Sequence, residues 1–223
     1  MPATTHNSPE PSGPEQPGER KRTATSRSRG RDTRRRLEDA ALALIPEVGW
    51  GAVTTRAVAE RAQVNPALVH YHFASVQDLL TDAVLRSFGE LLEGPLEQLS
   101  GAEDVAGGID QLLAAVQPYD GGDPTSLLFT EAVLAASRDD RLRRGLGEFV
   151  ADFRRRIGGW LRSRGHEDGA AAATVLAGAL DGLILHRSLD PSLDLAACGE
   201  MLKKFCLPAG RGRTAEGGPS CRS

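Results

Sequence analysis

From residue 33 onward, apolar residues along this 223-residue chain recur at intervals of three and four, and no stretch shows a convincing alternation of period two. A first helix is predicted over 33–48, where Leu37, Ala40, Ala41, Leu44, Ile45 and Val48 share one face. Pro46 should fray or kink its last turn. Two short helices follow. Thr54 can cap the first, which runs to Ala62 with Val58, Ala59 and Ala62 on one face. Asn65 caps the second and Pro66 takes its first position, where a missing N–H costs nothing. Val69 and Phe73, four apart, give that helix its apolar edge. Ser75 and Asp78 form a capping box for a fourth helix through Leu79, Leu80, Ala83, Val84, Phe88 and Leu91, which Gly94-Pro95 is expected to stop. Further helices are predicted over 105–117, from Asp123-Pro124 to about 137, and over 139–164, 167–189 and 194–206. Gly145, Gly147, Gly158 and Gly159 weaken the longest of these and mark possible bends. The fold class is therefore all-α.

The two ends of the chain read differently. Residues 1–31 are rich in Pro, Ser, Thr, Gly and charge and have almost no aliphatic content, the composition of a disordered tail. Residues 208–223, rich in Gly, Arg and Ser, read as a second tail. Net charge is only −3, but residues 1–76 carry 11 Lys/Arg against 8 Asp/Glu, while residues 77–223 carry 16 against 22. A cationic end joined to an acidic remainder suits one nucleic-acid-facing unit and one that is not. From Arg20 to Arg36 there are nine Lys/Arg and one acid, Asp32. This run reads as an arm along phosphates or in a minor groove, or else as a solvated charge run. No apolar run is expected to reach membrane-spanning length, and no secretory signal is evident, which points to the cytoplasm. Cys198, Cys206 and Cys221 show no Cys-x-x-Cys spacing and read as small apolar residues and a tail thiol.

The segment 53–73, V-T-T-R-A-V-A-E-R-A-Q-V-N-P-A-L-V-H-Y-H-F, places two stubby helices around a three-residue turn, the grammar of a helix-turn-helix. With R-R-R-L-E-D-A-A-L-A-L-I before it and A-S-V-Q-D-L-L after it, the region from Arg34 to Leu80 closely resembles the tetracycline-repressor (TetR) family. Gln63 stands in the turn where that family usually has Gly, and Val76 where it commonly has Lys.

The resemblance implies an N-terminal helix-turn-helix DNA-binding unit over 32–76 and a C-terminal helical effector-binding and dimerisation domain over 77–207. It implies double-stranded DNA as partner, with Arg56, Pro66, Ala67, Leu68 and His70 toward bases and Tyr71 and His72 toward the backbone. Pro66, Ala67 and Leu68 offer apolar contact suited to thymine methyls, which leaves Arg56 and His70 as the polar readers. The hydroxyls and free N–H groups of Thr54 and Thr55 form a phosphate-sized anion site. Arg34 and Arg35, at the end of the basic run, are further phosphate candidates. They would sit in a helix's first turn, which bound phosphate would make tolerable for cations. His70 and His72 point about 200° apart on a helix, so no metal is expected there, and no cofactor is implied.

In residues 167–189, Ala170, Thr174, Gly178 and Gly182 recur every four positions as a small-residue groove flanked by leucines. The family builds its dimer from its last two long helices, so this stripe is the expected homodimer seam; taken alone, it also fits a core helix. The family normally carries a small-molecule effector pocket, for which Leu112, Val116, Phe129, Phe149, Phe153, Trp160 and His186 are candidates here. No nucleophile elbow, phosphate loop or metal-ligand spacing is present, so no enzymatic role is expected. A ligand-responsive repressor acting on a palindromic operator is the function this resemblance implies; the alternative is a helical protein-interaction module without an effector pocket.

Overall fold

The structure is a computed structural model and describes residues 17–206, with side chains from residue 28 onward. The described residues form α1 (Pro17–Val48), a 3₁₀ turn (Trp50–Ala52), α2 (Thr55–Arg61), α3 (Ala67–His72), α4 (Val76–Gly101), α5 (Val105–Val116), α6 (Pro124–Ala136), α7 (Asp140–Ser163), α8 (Gly169–Leu189) and α9 (Leu195–Cys206). The all-α expectation holds. Residues 1–16 and the tail at 208–223 lie outside the described residues.

Two boundaries differ from the sequence expectation. The segment 17–31, expected to be part of a tail, is helical and continuous with α1. Residues 19–29 contain neither Gly nor Pro, and a helix nucleated downstream gains one hydrogen bond for each residue it adds. Arg34, Arg35 and Arg36 are therefore deep within a helix, where the dipole objection to them disappears. The second difference is at Gly94-Pro95, which does not stop α4. Pro95 forfeits one backbone bond, but burial of Leu96 and Leu99 holds the final turns to the core. Pro46 likewise lies inside α1, which ends at Gly49 with φ 81°.

Side-chain caps fix most helix starts. Thr54 Oγ1 accepts from Ala57 N at 3.2 Å, Ser75 Oγ from Asp78 N at 3.0 Å and Asp104 Oδ1 from Gly107 N at 2.7 Å. Asp123 Oδ1 accepts from the amides of Thr125 and Ser126 at 2.9 and 3.0 Å. Each of these orphan amides would otherwise need water.

The core forms two clusters. The first joins Leu37, Ile45, Val58, Val69, Leu80 and Phe88 of α1–α4 to Leu128 and Ala132 of α6 and Leu142 and Leu146 of α7. The second joins Leu99, Ile109, Leu112, Ile157, Leu161 and Leu176 of α4, α5, α7 and α8. The head helices thus share a continuous interior with α6 and the start of α7 rather than forming a separate body. In the second cluster a Cβ on Gly108 would meet Trp160 Cζ2 at 2.1 Å, so only Gly lets α5 approach that indole.

Against expectation, α8 is long and apolar enough to cross a membrane by length and composition, with mean hydropathy 1.4 over its most apolar window. It packs instead along α7, burying Gly169, Ala172, Ala173, Leu176, Ala177 and Leu180.

Candidate nucleic-acid interface

The head unit turns one face inward. Val58, Ala59 and Val69 are fully buried and Phe73 nearly so, while Arg56, Pro66, Ala67, Leu68, His70 and Tyr71 are exposed. Tyr71 keeps 79% of its surface accessible. Asn65 Oδ1 accepts from Ala67 N at 2.9 Å, and Pro66 already has helical φ −52° and ψ −29°. Asn65 therefore does the capping, with Pro66 as the first helical residue. Gln63, in the turn, has φ 53°, the left-handed region in which a β-carbon costs on the order of 1 kcal/mol. Arg36 braces this turn from α1, donating from Nη2 to the carbonyls of Ala62 at 2.5 Å and Gln63 at 3.3 Å. Its role was not visible in the sequence, because its partners are backbone atoms 26 and 27 residues away.

The phosphate candidates separate into two groups. Thr54 is exposed and Thr55 half-buried at the start of α2, and Arg35 stays largely exposed, 3.6 Å from Glu90. Arg34 is turned inward instead. Its guanidinium donates to His72 O at 3.2 Å, pairs with Glu38 at 3.0 Å and Asp82 at 2.5 Å, and lies 4.3 Å above the Phe73 ring. Through these contacts Arg34 ties α1 to α3 and α4, a structural role beyond its expected contact with phosphate. His72 is half-buried beside it; desolvation, then the Arg34 charge, pushes its pKa below the usual imidazole value. Arg56 makes no ion pair or side-chain hydrogen bond among the described residues, so its five donors are uncommitted.

The head is wired to the C-terminal helices by polar contacts as well as by packing. Arg141 of α7 pairs with Asp78 at 3.3 Å and with Asp82, the partner of Arg34. Arg86 of α4 pairs with Glu38 and Asp39 of α1, each at 2.7 Å. The Trp50 backbone N–H donates to Glu131 Oε2 of α6 at 2.8 Å, and its indole N–H to Gln77 Oε1 at 2.7 Å.

A cavity of about 110 Å³ lies among α4, the end of α5, α6, α7 and α8. Of the effector-pocket candidates, Val116, Phe129 and Phe149 line it. Leu112 and Trp160 are instead packed in the second core cluster, Phe153 lies against that cluster, and His186 is on the surface. The helical stripe of Leu112, Phe153 and Trp160 marked core, a role periodicity alone cannot tell from a pocket wall. Phe88, Tyr119, Ser126, Asp181 and Ile184 also line the cavity. Asp181 had a signal in the sequence, as the one acid within the apolar run 169–189.

Ala170, Thr174 and Gly178 are exposed and Gly182 half-exposed; a Cβ added at either glycine would meet nothing within 4 Å. The stripe therefore faces away from α7, beside the exposed Val175 and Leu185; Met201 and Phe205 of α9 are exposed as well.

Comparison with known proteins agrees with this geometry. Residues 37–83 match the model for bacterial regulatory proteins of the tetR family, and residues 100–205 match a tetracyclin repressor-like C-terminal domain. The chain is 29% identical over 158 residues to the HTH-type transcriptional regulator BetI of Rhizobium meliloti, covering 70% of this chain and 78% of that protein. It is 43% identical over 58 residues to the HTH-type transcriptional repressor KstR of Rhodococcus jostii, covering 26% and 27% of the two chains. The solved structure of the multidrug binding protein EbrR complexed with imidazole superposes with a TM-score of 0.62 at 28% identity, covering 81% of this chain and 92% of that one. The chain belongs to the tetR family of bacterial regulatory proteins and is a DNA-binding transcriptional regulator rather than an enzyme.

Proposed function

We propose that this regulator is a homodimeric, ligand-responsive repressor that binds a palindromic operator in the cytoplasm. The observation that carries the DNA reading is the outward face of α2 and α3, where Arg56, His70 and Tyr71 are exposed over a fully buried Val58 and Val69. Arg56 and His70 read base edges, Pro66, Ala67 and Leu68 meet thymine methyls, and Thr54, Thr55, Arg35, Tyr71 and His72 hold the backbone. Base readers this few make specificity modest per half-site, so two heads are needed. The open stripe on α8, with the apolar side chains of α9, supports a two-fold seam that presents recognition helices about 34–36 Å apart. Repression follows because a dimer seated on a promoter excludes polymerase without further parts.

The cavity supports the effector reading, as does the similarity to EbrR, which was solved with imidazole. Phe129 and Glu131 lie two residues apart on α6, one lining the cavity and the other holding Trp50 beneath the head. A ligand with unequal affinity for two settings of α6 would therefore shift the spacing of the heads.

Selection of binding sites from random duplex DNA with the full chain tests this reading. Enrichment of an inverted repeat whose half-site centres lie one helical turn apart is expected. Enrichment of a single unpaired half-site, or of no sequence, would refute it.

A further inference from the structure

We propose that the cavity among α4, the end of α5, α6, α7 and α8 takes a compact organic cation, with Asp181 as its counter-charge and the phenyl rings around Phe88 as its walls. This rests on reading that cavity as the effector site. The Phe88 ring stands 5.7 Å from both Phe129 and Phe149, tilted 39° and 41°, and Tyr119 adds a fourth aromatic wall. Aromatic faces carry negative quadrupole density and attract cations.

Asp181 is the one carboxylate on the lining and makes no ion pair or hydrogen bond among the described residues. The residue is exposed at the rim, and the protein packed around its carboxyl desolvates it enough to push its pKa above the usual carboxylate value. No Lys, Arg or His lines the cavity. Arg187, also on α8, is turned to the carbonyls of Gln117 at 2.9 Å and Tyr119 at 2.7 Å. Asp123 lies near enough to raise the Tyr119 pKa, after the larger effect of burial, and so adds negative potential. Its own oxygens are occupied by the Ser126 hydroxyl and by backbone amides at the start of α6.

An anionic ligand such as a fatty acid would find no cation to pair with and one carboxylate to repel it. A neutral apolar ligand would leave Asp181 without a partner. The volume of about 110 Å³ suits a headgroup of trimethylammonium size rather than a drug-sized molecule.

Calorimetric titration of the full chain, without DNA, with tetramethylammonium, tert-butanol and butyrate tests the assignment. Tetramethylammonium is expected to bind at least about tenfold more tightly than the other two. Asp181→Asn should abolish that preference, and Phe129→Leu should weaken the cation several-fold with Asp181 intact, so the test does not depend on one variant folding. Failure of tetramethylammonium to bind, butyrate or tert-butanol binding as well, or indifference of the cation to Asp181→Asn would each overturn the proposal. DNA release is measured separately. A cation that binds in this way yet leaves DNA affinity unchanged would support the cavity assignment and refute the ligand-responsive reading.

Discussion

Replacing Glu131 with Ala removes a single acceptor, and the structure sets the size of the effect. The Trp50 backbone N–H donates to Glu131 Oε2 at 2.8 Å in a half-buried setting, and Trp50 itself is only 7% exposed. A hydrogen bond to a charged group contributes about 1.5–3 kcal/mol, and an amide left without a partner costs about 1–3 kcal/mol. These describe the same loss from two sides, so Glu131→Ala should destabilise the protein by about 2 kcal/mol. Glu131→Gln keeps a neutral acceptor in place and should cost about 1 kcal/mol. Urea unfolding followed by tryptophan fluorescence, at one fixed protein concentration because the proposed dimer would make the midpoint depend on concentration, measures both. The same substitution frees the turn at Gly49–Trp50 from α6, so it should also reduce the effect of any effector on DNA affinity. A Glu131→Ala stability within about 0.5 kcal/mol of the parent, or a Gln variant worse than the Ala variant, would refute the reasoning.

Other expectations concern the DNA face, the seam and pH. Arg56→Ala and His70→Ala should each cost about 1–3 kcal/mol of discrimination between the selected operator and random duplex, measured by fluorescence anisotropy; equal loss on both would contradict base reading. Tyr71→Phe should weaken all duplexes alike by removing a phosphate donor, and a loss confined to the operator would contradict that role. Gly178→Leu adds a side chain where the protomer has open space, so sedimentation should show folded monomers with poor DNA affinity; a stable dimer would argue against the α8 seam. The folded-state pKa of His72 is depressed, so its contribution to stability is fully present above the unfolded value and is lost as pH falls through it toward the folded value. His72→Gln should flatten the acid side of the stability profile, and an unchanged slope there would deny the burial of this imidazole.

Local signals made most helices legible. Thr54, Asn65, Ser75 and Asp123 are short-range caps whose partners lie within three residues, so sequence order alone reveals them. The apolar stripes of α1, α4 and α7 located the core. Long-range choices were not legible. Arg34 looked like part of a basic run, and only folding brings Asp82 and the Phe73 ring to it. Gly94-Pro95 looked like a stop because the tertiary burial that carries α4 past it involves helices distant in sequence. The cavity was half legible for the same reason. Periodicity identified Val116 and Phe149 as inward-facing, whereas on α6 it picked Leu127, Val133 and Leu134, which are exposed, and Phe129 came only as a pocket candidate. Which inward residues meet a void rather than a neighbour depends on packing among five helices.

Operator recognition as proposed depends on the outer edge of α2 and α3 entering a groove, which a crystal structure of the full chain on its selected operator would test. It should place α3 in the major groove, with Arg56 and His70 within hydrogen-bond distance of base edges and Tyr71 against the backbone. Contact with DNA through any other surface, leaving Arg56 and His70 in solvent, would contradict it.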